Sequence, residues 1–327
     1  MDKPPGIDSL PAVSVVDIND PTEVGAGVEL IDLDAVQLQS MPLRARRVVI
    51  QLESAWVIFY STNLRLRTRT RTRHGLVAYD AYGPQTSGTV NGQLVGPGRV
   101  VAFEPGSEVT FVAEGGWESF ATLLPPAEVL EHMLARKLEA EIVLPRGTEM
   151  LQVDPVQADA LFSWGKRLVD MAVRQPGLFD EPGRERRGAR HELLERLLAT
   201  LRVAAERGHG PINRTREERS RIVRVAEDYA MAHIDDQFYL TDLCKAADVS
   251  ERTLEYAFKA VMGMTPMTYL TRLRLHRVRQ RLLAAPRDST TVTAEALNWG
   301  FWHLGEFSRA YKNCFGEFPS ETLRRHD

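Results

Sequence analysis

The sequence predicts a multidomain α+β chain. The N-terminal domain is expected to be a β-barrel or jelly-roll-like unit with appended helices. The C-terminal domain is expected to be all-α, with two helix-turn-helix units joined by a long helix. Three observations carry this. From about residue 28 to 123 the chain is a succession of short β-branched or alternating runs divided by turn signals, the texture of a sandwich or barrel. Pro125 and Pro126 end that texture, and apolar residues then recur at helical spacing. Beyond residue 216, a short helix, a turn and a second helix occur twice.

Taken in order, residues 1–25 carry Pro, Asp and Gly and are expected to form a flexible N-terminus. The strand candidates are VVIQL, AWVIFYS, LRLRTRTRTR, GLVAY, GRVVAF and VTFVAE, separated by GPQTSG, NGQ, GPG, EPGS and EGG. Helical patterns follow in AEVLEHMLARKL and DALFSWGKRLVDMAV and, after a break at RQPGLFDEPGRERRG, in ARHELLERLLATLRVAAE. The last places Leu193, Leu194, Leu197, Leu198 and Leu201 on one stripe, suited either to packing within its own domain or to a homodimer contact. RGHGPINRT, residues 207–215, has two glycines and a proline and reads as the linker between a domain of residues 26–206 and one of residues 216–327.

Composition bounds the function classes. Of 327 residues, 43% are hydrophobic and 26% charged, which describes a soluble globular chain. With 41 basic against 44 acidic residues, a polyanionic partner must be met by a local patch rather than a global field. The two cysteines, Cys244 and Cys314, make neither a disulfide scaffold nor a zinc site of the Cys-x-x-Cys type, and fit a reducing cytoplasm. The first residues lack a signal-peptide apolar stretch, and no window has the length of a membrane span.

The C-terminal grammar is tight. In LTDLCKAADVSERTLEYAFKAVMG, Thr241 is placed to cap a short helix and Ser250 a second one. Leu254, Ala257, Phe258 and Val261 make the packing face of the second helix, so Arg252, Thr253, Glu255, Tyr256 and Lys259 point away from it, and Gly263 ends it. That exposes hydrogen-bonding residues as a major-groove reading helix does. Pro266 opens PMTYLTRLRLHRVRQRLLAA, a rod of about 30 Å, close to one turn of DNA. Its five arginines, Arg272, Arg274, Arg277, Arg279 and Arg281, are expected in part to face phosphate. The pattern recurs in VTAEALNWGF and WHLGEFSRAYKNCFG, with Phe307, Ala310, Tyr311 and Phe315 inward and His303, Gly305, Glu306, Arg309 and Lys312 outward.

Residues 222–325 resemble the DNA-binding domain of the AraC/XylS family of bacterial transcription regulators. The match lies in LTDLCKAADVSERTLEYAFK, GMTPMTYLTRLRL and the run from TVTAEALNWGF to FGEFPSETLRR. The resemblance implies an effector-responsive regulator, more often an activator, working as a homodimer on double-stranded DNA and meeting RNA polymerase. Carried over by position, base contacts fall to Arg252, Glu255 and Tyr256, and to His303, Gly305, Glu306 and Arg309. Phosphate contacts fall to Ser250, Lys259 and Lys312. Leu304 and Gly305 depart from the polar residues frequent at those positions, which throws the second helix's readout mainly onto Arg309.

The ladder LRLRTRTRTRHG sets Arg65, Arg67, Arg69, Arg71 and Arg73 on one face of a strand, with Leu64, Leu66, Thr68, Thr70 and Thr72 on the other. A solvated face screened by neighbouring acids, a DNA-binding arm and a socket for an anion are all compatible with it. The socket reading has a parallel: R-x-x-x-R spacing, followed by Ser87, Thr89 and Gly92 in SGTVNG, is similar to the paired elements of PilZ-type cyclic di-GMP receptors. It implies a regulatory cyclic dinucleotide clamped by guanidiniums. An unrelated small metabolite is the alternative. The β region resembles the cupin-like effector and dimerisation domains of the same regulators. A cupin-type enzyme is disfavoured, since only His74 and His132 precede residue 191 and no hydrolase, phosphate-loop or zinc-protease motif is present. No metal and no cofactor beyond that dinucleotide are expected.

Overall fold

The computed structural model describes residues 11–25, 28–138, 144–180, 183–207, 214–233, 239–286 and 289–324. The strands among them are β1 (Val13–Ile18), β2 (Ile31–Gln37), β3 (Ala45–Leu52), β4 (Ala55–Thr62), β5 (Leu66–Thr72) and β6 (Val77–Tyr82), followed by β7 (Gly88–Val90), β8 (Gln93–Leu94), β9 (Arg99–Phe103), β10 (Glu108–Ala113), β11 (Trp117–Leu124) and β12 (Thr148–Gln152). They form a seven-stranded sheet in the order β1-β3-β4-β11-β6-β9-β12 and a five-stranded sheet in the order β2-β5-β10-β7-β8. Period-two alternation gives each sheet an inner face, and these share a core containing Trp56, Ile58, Phe103 and Trp117 from the larger sheet and Val109 and Ala113 from the smaller.

The outer face of the larger sheet is covered by helices. Val57, Phe59 and Phe120 meet Leu161, Phe162 and Trp164 of α2 (Pro155–Arg174) and the leucines of α3 (Arg184–Arg207), with α1 (Pro126–Ala135) at the edge. Leu193, Leu194, Leu197, Leu198 and Leu201 are all at most 3% exposed, so the leucine stripe is spent on its own domain and offers no face to a second copy.

One expectation is overturned at the N-terminus. Residues 1–10 lie outside the described residues, but Val13–Ile18 is strand β1, paired antiparallel with β3. Its hydrogen-bonding partner lies far along the chain, and local composition does not reveal such pairing. A 3-10 turn, Pro21–Glu23, follows, capped by Asp20, whose carboxylate accepts from the Thr22 N–H.

The C-terminal helices are α4 (Arg214–Ala232), α5 (Leu240–Ala247), α6 (Glu251–Met262), α7 (Pro266–Ala284), α8 (Val292–Asn298), α9 (Leu304–Phe315) and α10 (Pro319–Leu323). Most of the expected linker, 208–213, lies outside the described residues. Helix α5 begins earlier than the Thr241 cap predicts, because the Asp242 carboxylate accepts from the Tyr239 N–H. Leu254, Ala257, Phe258 and Val261 pack on Ile222, Val223 and Ala226 of α4, as their spacing predicts. Gly263 closes α6 in the left-handed region (φ 73°). A separate cluster of Val278, Leu282, Ala296, Phe307 and Tyr311 unites α7, α8 and α9. Helix α7 is unbroken over 19 residues, a strut of about 28 Å.

Candidate functional site

The two helices that follow a turn, α6 and α9, hold their outward residues in solvent. Ser250, Arg252, Glu255, Tyr256 and Lys259, and His303, Gly305, Glu306, Arg309 and Lys312, are all exposed. Ser250 is committed locally as the N-cap of α6, its hydroxyl accepting from the Thr253 N–H at 3.3 Å. The Arg252 guanidinium lies 5.6 Å from the Tyr256 ring, and the Lys312 ammonium 4.0 Å from the Phe318 ring. Both cations remain at the surface.

The arginines of the strut do something else. Three of the five face the β domain rather than phosphate. Arg279 is buried and makes an ion pair with Asp20 at 2.5 Å, Arg277 reaches Asp34 at 3.0 Å, and Arg272 donates to the Gln37 carbonyl and the Ser40 hydroxyl. Burial alone would raise the Asp20 carboxyl; the Arg279 guanidinium overrides it and holds Asp20 below the ordinary carboxylate range. His276 accepts from the Gln37 N–H through Nε2 at 3.1 Å, and burial pushes its pKa down to about 3, so the ring is neutral.

The arginine ladder is the other half of this clasp. As the alternation predicts, β5 turns Arg67, Arg69 and Arg71 to one side and Leu66, Thr68, Thr70 and Thr72 to the other. Arg67 donates through Nε and an Nη to Glu227 of α4, with side chains only 2% and 4% exposed, and the Tyr269 hydroxyl donates to the same carboxylate. Arg69 pairs with Glu108 of β10 and Asp228 of α4, each at 2.6 Å, and Arg73 with Asp32. Arg65 donates to the carbonyls of Val261 at 2.9 Å and Met262 at 3.1 Å, capping the C-terminus of α6. The β strands thus grip α4, α6 and α7 together.

Between the domains lies a cleft of about 530 Å³, lined by Arg67, Arg69 and Arg71 but also by Asp32, Asp34, Glu108, Glu227 and Asp228. With five carboxylates against three guanidiniums, its balance is acidic. Of the other residues expected to meet a ligand, Thr89 shares a face with Arg67 through Val112, while Ser87 stands exposed beyond the strand end. Gly92 is pressed by α4: a Cβ there would lie 2.6 Å from Ser220. That turn is not an open cradle.

On the opposite face of β5 is a cavity of about 90 Å³ between the two sheets. Ile31, Leu33, Ile58, Phe103, Phe111 and Leu123 are among its apolar lining, with Thr68, Thr70 and Thr72 along one side and Arg47, Asp80, Tyr60 and Ser119 supplying polar atoms. Burial raises the Asp80 carboxyl to about 7, against the pull of the Tyr82 hydroxyl. Sequence reasoning missed Asp80, Asp20, Glu227 and His276. The available signal for Glu227 was a charge within the apolar stripe Ile222, Val223, Ala226 and Ala230. Among the described residues no group of histidines, cysteines and carboxylates is placed to hold a metal, and no helix is long and apolar enough to cross a membrane.

The exposed helices can be set beside known proteins. Residues 243–325 match the family described as "Helix-turn-helix domain". The C-terminal part of the chain carries this domain. The chain is 37% identical over 133 residues to the "Probable thc operon regulatory protein" of Rhodococcus erythropolis, covering 40% of each chain. It is 36% identical over 105 residues to the "XylDLEGF operon transcriptional activator 3" of Pseudomonas putida, covering 32% of this chain and 30% of that one. The match therefore spans well under half the length of either relative. Among solved structures, "a probable AraC family transcriptional regulator" from Rhodopseudomonas palustris is 40% identical, covering 32% of this chain and 95% of that one, with a TM-score of 0.30.

Proposed function

We propose that the chain is a DNA-binding transcription regulator of the AraC/XylS type, an activator rather than an enzyme, whose β domain senses a small molecule in the cavity between its sheets. The observation that carries the reading is the two-sidedness of β5: one row of side chains walls the cavity, and the other holds the helices that present α6 and α9. Those two helices are the reading heads of two helix-turn-helix units, with Arg252, Glu255 and Tyr256 in the first and His303, Glu306 and Arg309 in the second. The strut α7 sets their separation. A ligand that shifts β5 by a fraction of an ångström acts on the clasp through the thickness of one strand, changing the balance between arrangements of the heads. The cavity's size and its largely apolar wall, with the Asp80 carboxyl raised to about 7 and Arg47, Tyr60 and Ser119 also lining it, suit a small, largely apolar effector carrying a polar group.

Cyclic di-GMP is the second reading for the effector, because three arginines line the interdomain cleft. Its phosphates would have to displace Glu108, Glu227 and Asp228 from those arginines, which favours the inner cavity instead. Homodimerisation, contact with RNA polymerase and a cytoplasmic setting follow from the family likeness.

Selection from a random duplex library with the full chain tests DNA binding: an enriched sequence whose affinity falls on Arg252→Ala and on Arg309→Ala is expected, and no enrichment overturns the reading. For the effector, mass spectrometry of natively purified protein should release a small molecule from the wild type but not from Ala121→Leu, which fills the cavity. Heat in a calorimeter on adding cyclic di-GMP would instead move the site to the cleft.

A further inference from the structure

The start of α9 is chemically unlike the start of α6. Trp302, which precedes the His303 N-cap, and Leu304, the first residue of α9, are 68% and 37% exposed, large apolar side chains standing in solvent at the start of the second reading helix. His303, Glu306, Arg309 and Lys312 are exposed as well, so the same stretch presents apolar side chains together with polar and cationic ones. On helix α6 the large exposed side chain is Tyr256, 56% exposed, whose ring ends in a hydrogen-bonding hydroxyl. The leading exposed residues of that helix are Glu251, Arg252, Thr253, Glu255 and Tyr256.

Gly305 is the second observation. Its φ is not in the left-handed region, and a Cβ added to it would meet nothing within 4 Å. Glycine weakens a helix relative to alanine, and here neither the backbone nor any neighbour within the chain calls for it. What it provides is a bare stretch of helix surface between Leu304 and Glu306, on the side that faces away from the protein.

We propose that Trp302 and Leu304 read thymine C5-methyl groups in the major groove, with Gly305 letting the backbone of α9 settle close to the base edges. Thymine alone carries a methyl group in that groove, and apolar side chains are its complement. The bordering cations, Arg309 and Lys312, are placed for guanine or phosphate on either side. The first unit then reads by hydrogen bonding and the second largely by apolar contact, so the preferred half-site for α9 is thymine-bearing. This inference rests on the DNA-binding reading above.

The test uses the full chain and the duplex it selects from a random library. The half facing α9 is the one whose protection from chemical footprinting is lost with Arg309→Ala. Each thymine there is replaced by uracil, which removes only the methyl group. Wild-type affinity is expected to fall about fourfold per contacted methyl, the transfer value of one buried carbon. Trp302→Ser and Leu304→Ser should bind more weakly but no longer distinguish uracil from thymine, and Trp302→Phe should recover part of the distinction. Gly305→Ala should raise the melting temperature while lowering duplex affinity. Because these side chains are exposed, circular dichroism should show each variant folded. Uracil without effect at every thymine, or with equal effect in wild type and serine variants, overturns the proposal. So does a serine variant that keeps methyl sensitivity but loses activation in a purified transcription reaction, which would assign the patch to a protein partner. Failure of the library to enrich at all defeats the DNA-binding reading itself, and this proposal with it.

Discussion

Arg67→Met removes a guanidinium that donates twice to Glu227, leaving a carboxylate 4% exposed with the Tyr269 hydroxyl as the donor that remains among the described residues. Stranding a buried charge in this way costs about 3–5 kcal/mol, whereas replacing both partners by apolar residues of similar volume is often neutral or stabilising. Arg67→Met and Glu227→Leu should therefore each destabilise the chain by about 3 kcal/mol or more, and the double variant should recover most of the loss. Asp228→Asn is the control. Its pair with Arg69 has side chains 51% and 23% exposed, and its loss should cost under about 1 kcal/mol. Urea unfolding followed by circular dichroism, with hydrogen exchange read separately in β5 and α4, gives the numbers and shows whether the two sides separate before either unfolds. Single variants that cost no more than Asp228→Asn, or a double variant weaker than both singles, would refute the claim that this pair is a buried latch.

Two buried groups give opposite pH slopes. Asp80 holds its proton more tightly when folded, so the stability it adds is complete below the ordinary value of 3.8 and is lost as pH rises to about 7. His276 is neutral when folded, so its contribution is complete above the ordinary 6.5 and is lost as pH falls to about 3. Between 3.8 and 6.5 the two oppose each other, and thermal melts should show stability rising with pH in Asp80→Asn and falling with pH in His276→Gln. Unchanged slopes in both would refute the assignments. Arg309→Ala should weaken specific duplex binding by about 1–3 kcal/mol in a gel-shift titration, with little change for unrelated duplexes. Leu197→Ala should cost about 2–5 kcal/mol in stability without altering the oligomeric state seen by light scattering.

Local patterns were legible where local physics decides them. The alternation of residues 64–73 sorted arginines from leucines and threonines correctly, because a strand has a period of two whatever lies on either side. The packing faces of α6 and α9, and with them the outward residues from Arg252 to Lys312, followed from helical spacing. What escaped was everything set by a distant partner. Nothing near Arg67 in sequence names Glu227, and nothing near Asp20 names Arg279, so both arginines looked available for phosphate or ligand. Strand β1 was lost in Pro- and Asp-bearing texture because its hydrogen bonds go to β3. Asp80 sits in VAYDAY as an ordinary outward residue of an alternating strand, and only closure of the two sheets makes it an inward one.

The two rows of β5 amount to two separable vocabularies written in the same seven residues. Exchanging Thr68, Thr70 or Thr72 alters the wall of the chamber while leaving every grip on the helices in place. The converse hazard is severe. Deleting a single residue after Leu64 would swap the rows, driving guanidiniums into the chamber and threonines against Glu227, and undo the cavity wall and the grip on the helices in one stroke.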